Sequence, residues 1–150
     1  MDSRREGGTH LVRLDPGEDV IEALTRYCAD RGILSATATG IGAVRDVEVG
    51  AFVCRTGAYE KVTLPGEWEL LSLDATISRV DGGPFVHAHA VLGNAAAETR
   101  GGHLFSARVT VTAEMAIRET GIAVSREKDE ASGLRLWRFP PASCEGKPRG

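Results

Sequence analysis

Three of the chain's four histidines fall in two short pieces. His87 and His89 lie in Phe85-Val86-His87-Ala88-His89-Ala90-Val91-Leu92-Gly93, and His103 lies in Gly101-Gly102-His103-Leu104. In an extended strand alternate residues share a face, so His87 and His89 project together, with α-carbons roughly 6.6 Å apart. Val86, Ala88, Ala90 and Leu92 point the other way and form an apolar set fit for a core. Two imidazoles at that spacing can converge on one ion. A third, His103 from a neighbouring strand, completes a three-histidine face with one position left open, the arrangement of catalytic zinc sites. Neutral imidazole also suits iron, nickel and copper, so spacing does not name the ion. The competing reading is of histidines on a half-exposed sheet face, hydrogen-bonded to their neighbours.

Other residues offer less. His10 precedes the first strand and reads as a surface residue. Glu67, Glu69, Asp74 and Glu114 are acids that could stand near a metal, and spacing does not choose among them. Gly101-Gly102 is a weak phosphate-cradling candidate, because no helix follows it. No Ser-His-Asp or Cys-His arrangement can be argued from spacing.

The elements that position the histidines are mostly strands. Residues 1–8 read as a flexible leader, and His10–Leu14 as a short strand. Asp15-Pro16-Gly17-Glu18 looks like a helix start, with Asp15 as cap, Pro16 in the first turn and Glu18 three residues after the cap. Val20, Ile21, Leu24, Tyr27 and Cys28 make one apolar stripe, and Gly32 ends the helix as a left-handed residue. Strand patterns follow at 33–39, 44–53, 59–64 and 67–80, with turns expected at Thr56-Gly57, Pro65-Gly66 and Asp81-Gly82-Gly83-Pro84. His103–Glu114 is the next strand, with Phe105, Ala107, Val109 and Val111 expected on the histidine's face. A short strand is expected within 116–124, a charged loop over Ser125–Gly133, and a last strand at Leu134–Phe139. One helix followed by many strands gives an α+β domain with a mostly antiparallel sheet.

The chain has 150 residues, enough for one domain with one core. Its net charge of −3 argues against a broad basic surface for nucleic acid. No apolar run approaches the ~20 residues of a membrane span. The first eight residues carry charge with no apolar segment behind it, so they do not read as a signal peptide. Cys28, Cys54 and Cys144 are far apart and in no metal-binding pattern, which fits free thiols in the cytoplasm.

In order and spacing, several segments together resemble the PPC domain (plant-and-prokaryote domain), over about residues 9–124. They are Leu14-Asp15-Pro16-Gly17-Glu18-Asp19-Val20, Gly32-Ile33 with Thr39-Gly40-Ile41-Gly42, and Gly66-Glu67-Trp68-Glu69-Leu70-Leu71-Ser72-Leu73. His87-Ala88-His89 with Leu92-Gly93, and Gly101-Gly102-His103-Leu104, complete the set. The resemblance implies an α+β fold with a strongly bent, mostly antiparallel sheet and one main helix, assembled as a homotrimer. With the residues at either end, the chain divides into a leader at 1–8, a PPC-like domain at 9–139 and a disordered tail at 140–150. The resemblance also implies a divalent metal, zinc, at His87, His89 and His103 near a subunit interface. The wider fold group includes acetolactate decarboxylase, where a His-x-His pair and a later histidine bind zinc. Two functions follow: a DNA-associated or regulatory module, or a metal-dependent enzyme of lyase or hydrolase type acting on a small oxygenated substrate at the metal. Plant members carry AT-hooks and a Gly-Arg-Phe-Glu-Ile-Leu contact segment. This chain has no AT-hook, and an acid, Glu67, stands where the arginine would be. Lys147-Pro148-Arg149-Gly150 is only superficially like an AT-hook.

Overall fold

The computed structural model describes residues 1–141. Its elements are β1 (Asp2–Glu6), β2 (Thr9–Leu14), α1 (Val20–Arg31), β3 (Ala36–Val53), β4 (Ala58–Val80), β5 (Gly83–Gly93), β6 (Thr99–Glu119), β7 (Ser125–Lys128) and β8 (Arg135–Arg138). The fold is α+β, and all strand pairings are antiparallel except the short contact of β4 with β7. Residues expected in the tail, from 142 on, lie outside the described residues, as does Cys144.

The helix begins later than its sequence signal. Asp19, not Asp15, is the cap: its Oδ1 accepts from the backbone N–H groups of Ile21 and Glu22 at 2.9 and 3.0 Å. Its Oδ2 accepts from the Ala107 N–H at 3.0 Å, which ties the helix start to β6. Asp15–Glu18 forms a turn instead, because Gly17 sits at φ 87°, outside helical space. Gly32 ends the helix at φ 67°, ψ 24°, as its sequence position requires. Val20, Ala23, Leu24, Tyr27 and Cys28 are buried against the sheet.

Residues 1–8, expected as a flexible leader, contain a strand. Gly7-Gly8 is a two-residue hairpin loop that closes Glu6 onto Thr9, so β1 pairs with β2 along its length. His10, expected on the surface, is 1% exposed. Its Nδ1 lies 3.0 Å from the Tyr27 hydroxyl and its Nε2 2.9 Å from Glu119 Oε1, partners that no local pattern could supply.

Where the sequence suggests pairs of short strands, the chain runs through as long ones. Gly40 to Gly42 in β3 and Pro65-Gly66 in β4 do not reverse direction. Register shifts fall at Gly40/Gly42, Arg45/Val47 and Leu70/Ser72. A bulge bends its strand and moves the following residues to the opposite face. Leu70 and Leu73 are therefore both buried, although three positions apart. The same happens in β6: Leu104 and Ala107 both face the core, so of the expected set only Phe105 stays beside His103, while Val111 is exposed. These bends let four strands pair in a ring, β3 with β4, β4 with β5, β5 with β6 and β6 with β3. Ser125–Lys128, expected as loop, is β7 and forms a hairpin with β8. No helix among the described residues is long and apolar enough to cross a membrane.

Candidate metal centre

Ring closure is what brings the histidines together. β4 and β5 are joined by a tight turn in which Asp81 and Gly82 take positive φ of 50° and 89°. The turn sets β5 in a register that places His87 opposite Thr76 and His89 opposite Asp74. The apolar alternates Val86, Ala88, Ala90 and Leu92 are all buried and hold the strand on the core. At the other edge β6 enters beside β5, and His103 falls directly opposite His89.

Gly101-Gly102 permits that approach. A Cβ on Gly101 would lie 2.6 Å from the Ala90 carbonyl oxygen, and one on Gly102 would lie 2.7 Å from that of Gly50. Strands β3, β5 and β6 are thus packed too closely here for any side chain at these two positions.

The three rings form a triangle with centroid separations of 5.1 Å (His87–His89), 5.0 Å (His87–His103) and 5.6 Å (His89–His103). One nitrogen from each lies within 4.8 Å of the others. His103 also packs on Phe105 at 4.6 Å and Tyr59 at 4.9 Å. Its Nδ1 is buried with no hydrogen-bond partner among the described residues. A buried polar atom left unpaired asks for an explanation, a bound ion among them, and this one sits on a ring of the histidine triad. The donors are all imidazole nitrogens, which suits zinc and its transition-metal neighbours over calcium or magnesium.

Electrostatics disfavour the charged forms of His87 and His103. Burial first, then the charge of Arg126 and the neighbouring imidazoles, pushes His87 down to about 4. Burial also lowers His103, helped by His89, Lys61 and Arg126. Both rings are therefore neutral at physiological pH, the form that binds metal. An ion held by three such ligands keeps an open position, where it would polarise an oxygen or lower the pKa of bound water.

Of the acids considered, none contributes an oxygen to the triad. Asp74 comes nearest in register, opposite His89, but is exposed and accepts from the Ser72 hydroxyl at 3.2 Å. Glu67 and Glu69 lie farther along β4, and Glu114 lies in β6 beside β2 and β3. The residue that sequence reasoning missed is Arg126 on β7. Its Nη2 reaches His87 Nδ1 at 3.1 Å, and its Nε donates to the Ser78 hydroxyl at 2.8 Å. A lone arginine in a stretch read as loop carries no signal of this role. A groove of about 640 Å³ lies elsewhere, lined by β1, β2, β3, β4 and β6; Asp74 lines it and the histidines do not.

Comparison with known proteins follows the same lines. The model of the Plants and Prokaryotes Conserved (PCC) domain matches residues 1–121. A plant- and prokaryote-conserved protein from Pyrococcus horikoshii is 33% identical, covers 93% of this chain and 94% of its own, and superposes with a TM-score of 0.82. A metal-containing protein from Archaeoglobus fulgidus is 36% identical over 92% of this chain and 99% of its own, with a TM-score of 0.81. A candidate DNA-binding protein from Bacteroides thetaiotaomicron is 26% identical over 92% and 96%, with a TM-score of 0.86. No curated protein matches the sequence. With the family model spanning most of the chain, this protein belongs to the plant- and prokaryote-conserved domain family.

Proposed function

We propose that this protein is a metal-binding member of its family, holding one divalent ion, zinc, through His87, His89 and His103 in each subunit of a homotrimer. The observation that carries the reading is the convergence of one nitrogen from each of three imidazoles within 4.8 Å, one of whose rings, His103, also holds a buried Nδ1 with no partner among the described residues. The similar protein from Archaeoglobus fulgidus is described as metal-containing, which supports the same reading. Assembly is supported by the surface: Leu11, Ile41, Leu71 and Val111 are each more than half exposed and line two adjoining grooves.

Two roles are compatible with such a centre. One is a DNA-associated or regulatory module, supported by the candidate DNA-binding protein of Bacteroides thetaiotaomicron. The other is metal-dependent chemistry on a small oxygenated substrate, supported by a three-ligand set with an open position and a guanidinium beside it. We favour the second, because the chain is acidic overall at −3 and a guanidinium stands beside the histidines. Titration of a labelled duplex at several salt concentrations, run beside zinc titrations of wild type and His103→Ala, tests both parts. The expected result is stoichiometric zinc in wild type, at least about a tenfold weaker site in the variant, and no duplex binding in the micromolar range. Equal zinc affinity in the two proteins would overturn the centre. Micromolar duplex binding with a steep salt slope would overturn the preferred role.

A further inference from the structure

Arg126 is the charged residue of the centre that the metal reading leaves without a task. A guanidinium has five N–H hydrogens. Nε donates to Ser78 Oγ at 2.8 Å, Nη1 to the Arg135 carbonyl at 2.9 Å, and Nη2 to His87 Nδ1 at 3.1 Å and, at longer range, to Thr76 Oγ1 at 3.4 Å. Every one of these acceptors is neutral. Among the described residues, no carboxylate pairs with Arg126. The guanidinium carbon lies 5.4 Å from the ring centre of Phe85 and 6.0 Å from that of Trp137. A half-buried cation is thus held by neutral groups and aromatic rings, without a counter-charge, against the histidine triad.

The contact with His87 decides what this cation can do. A neutral imidazole has one nitrogen lone pair. While Nδ1 accepts from Arg126, the ring hydrogen sits on Nε2 and His87 has no lone pair for an ion. An ion on Nδ1 displaces the guanidinium; an ion on Nε2 moves the ring hydrogen to Nδ1, where it meets the arginine N–H head on. Ligation by His87 and its hydrogen bond from Arg126 therefore exclude each other. Once released, Nη2 has a free hydrogen, and Nη1 has one beyond that given to Arg135. One hydrogen on each terminal nitrogen is the fork that grips two oxygens of an oxyanion.

We propose that Arg126 is the anion-recognising residue of this centre: a metal ion at the histidines frees it from His87, and it then takes the carboxylate of a small organic acid bound beside the ion. The proposal rests on the metal reading above. The charges around the site favour it. Lys61, the other cation near His103, is already paired with Glu48 at 2.6 Å, and Asp74 is exposed and engaged with Ser72. A dication, a guanidinium and three neutral imidazoles leave positive charge for an anion to balance. Two freed hydrogens match the two oxygens of a carboxylate, whereas a phosphate brings more oxygens than they can pair. Arg126 lies beyond the residues that the family model matches, so the assignment belongs to this chain.

The test uses the full chain loaded with cobalt(II), whose visible spectrum reports ligands at the ion. Trp137, one of two tryptophans, gives a second signal from beside the guanidinium. Acetate and inorganic phosphate are titrated into wild type, Arg126→Gln and Arg126→Lys. Acetate is expected to bind wild type more tightly than phosphate. Arg126→Gln should weaken acetate at least about tenfold, as loss of charge-assisted hydrogen bonds does, with Arg126→Lys between the two. Cobalt affinity of Arg126→Gln should equal or exceed that of wild type, because the competing donor is gone. Equal acetate affinity in wild type and Arg126→Gln would overturn the proposal, and so would joint loss of acetate and cobalt, which marks a purely structural role. Preference for phosphate would overturn the carboxylate assignment. A wild type that takes up no metal would overturn the metal reading and the release step with it. In that event an Arg126-dependent response of Trp137 to acetate would still support the anion site, and its absence would overturn that too.

Discussion

His87 sits where burial and a nearby guanidinium both disfavour its cation, and the consequence is measurable without any metal. Its folded value of about 4 lies below the ordinary 6.5. Between those values the unfolded chain binds a proton that the folded chain does not, so acid favours unfolding in that window. Stability from this source is complete above about pH 6.5 and is lost as pH falls toward 4. Calorimetry of metal-stripped protein should show a melting temperature that drops between pH 7 and pH 5, with a smaller drop in His87→Gln. An identical drop in both would contradict the assignment. At this scale the sequence was legible for His87, His89 and His103, because a spacing of two on a strand and a glycine-flanked third histidine are local patterns. Arg126 and His10 were not legible. Arg126 meets His87 across 39 positions, and His10 meets Glu119 across 109, so only the fold brings those partners together.

Bulges and glycines are the devices that turn strands into a site. The period-2 pattern identified β2, β8, most of β3 to β6 and the core face of β5, and it missed β1 and β7. It failed wherever a bulge reversed the phase, as between Leu70 and Leu73 or Leu104 and Ala107. Pro65-Gly66 carries the composition of a turn and yet lies inside β4, because the strand pairs on across it. Helix existence and its glycine stop were readable, while its start was not: Asp15 carries the cap signature, and Gly17's conformation moves the start on to Asp19. Gly102 is where element geometry touches the centre most directly. Gly102→Ala would push a methyl against the Gly50 carbonyl, so urea unfolding should show a loss of about 1–3 kcal/mol. Gly121→Ala, with open space around it, should change stability by less than about 0.5 kcal/mol. Equal effects at the two sites would contradict the close strand approach.

At the scale of the whole molecule, the sheet closes on itself through β3, β4, β5 and β6, and leaves apolar side chains on its outer face. Leu11, Ile41 and Val111 are 62%, 55% and 69% exposed. Exposed apolar area of this kind is the mark of an assembly surface. Light scattering should give a mass near three chains, and Ile41→Glu should lower it; a monomer in wild type would contradict the assembly. The fold class and the family resemblance were both readable from segment order, which the family match over residues 1–121 bears out.

The central claim is that three imidazoles from two strands share one ion. Elemental analysis of the full chain, purified without chelator or affinity tag, tests it most directly. The account predicts close to one zinc per chain in wild type and little in His87→Ala or His103→Ala, with all three proteins folded by circular dichroism. Folded wild type carrying no transition metal, or variants carrying as much as wild type, would contradict it.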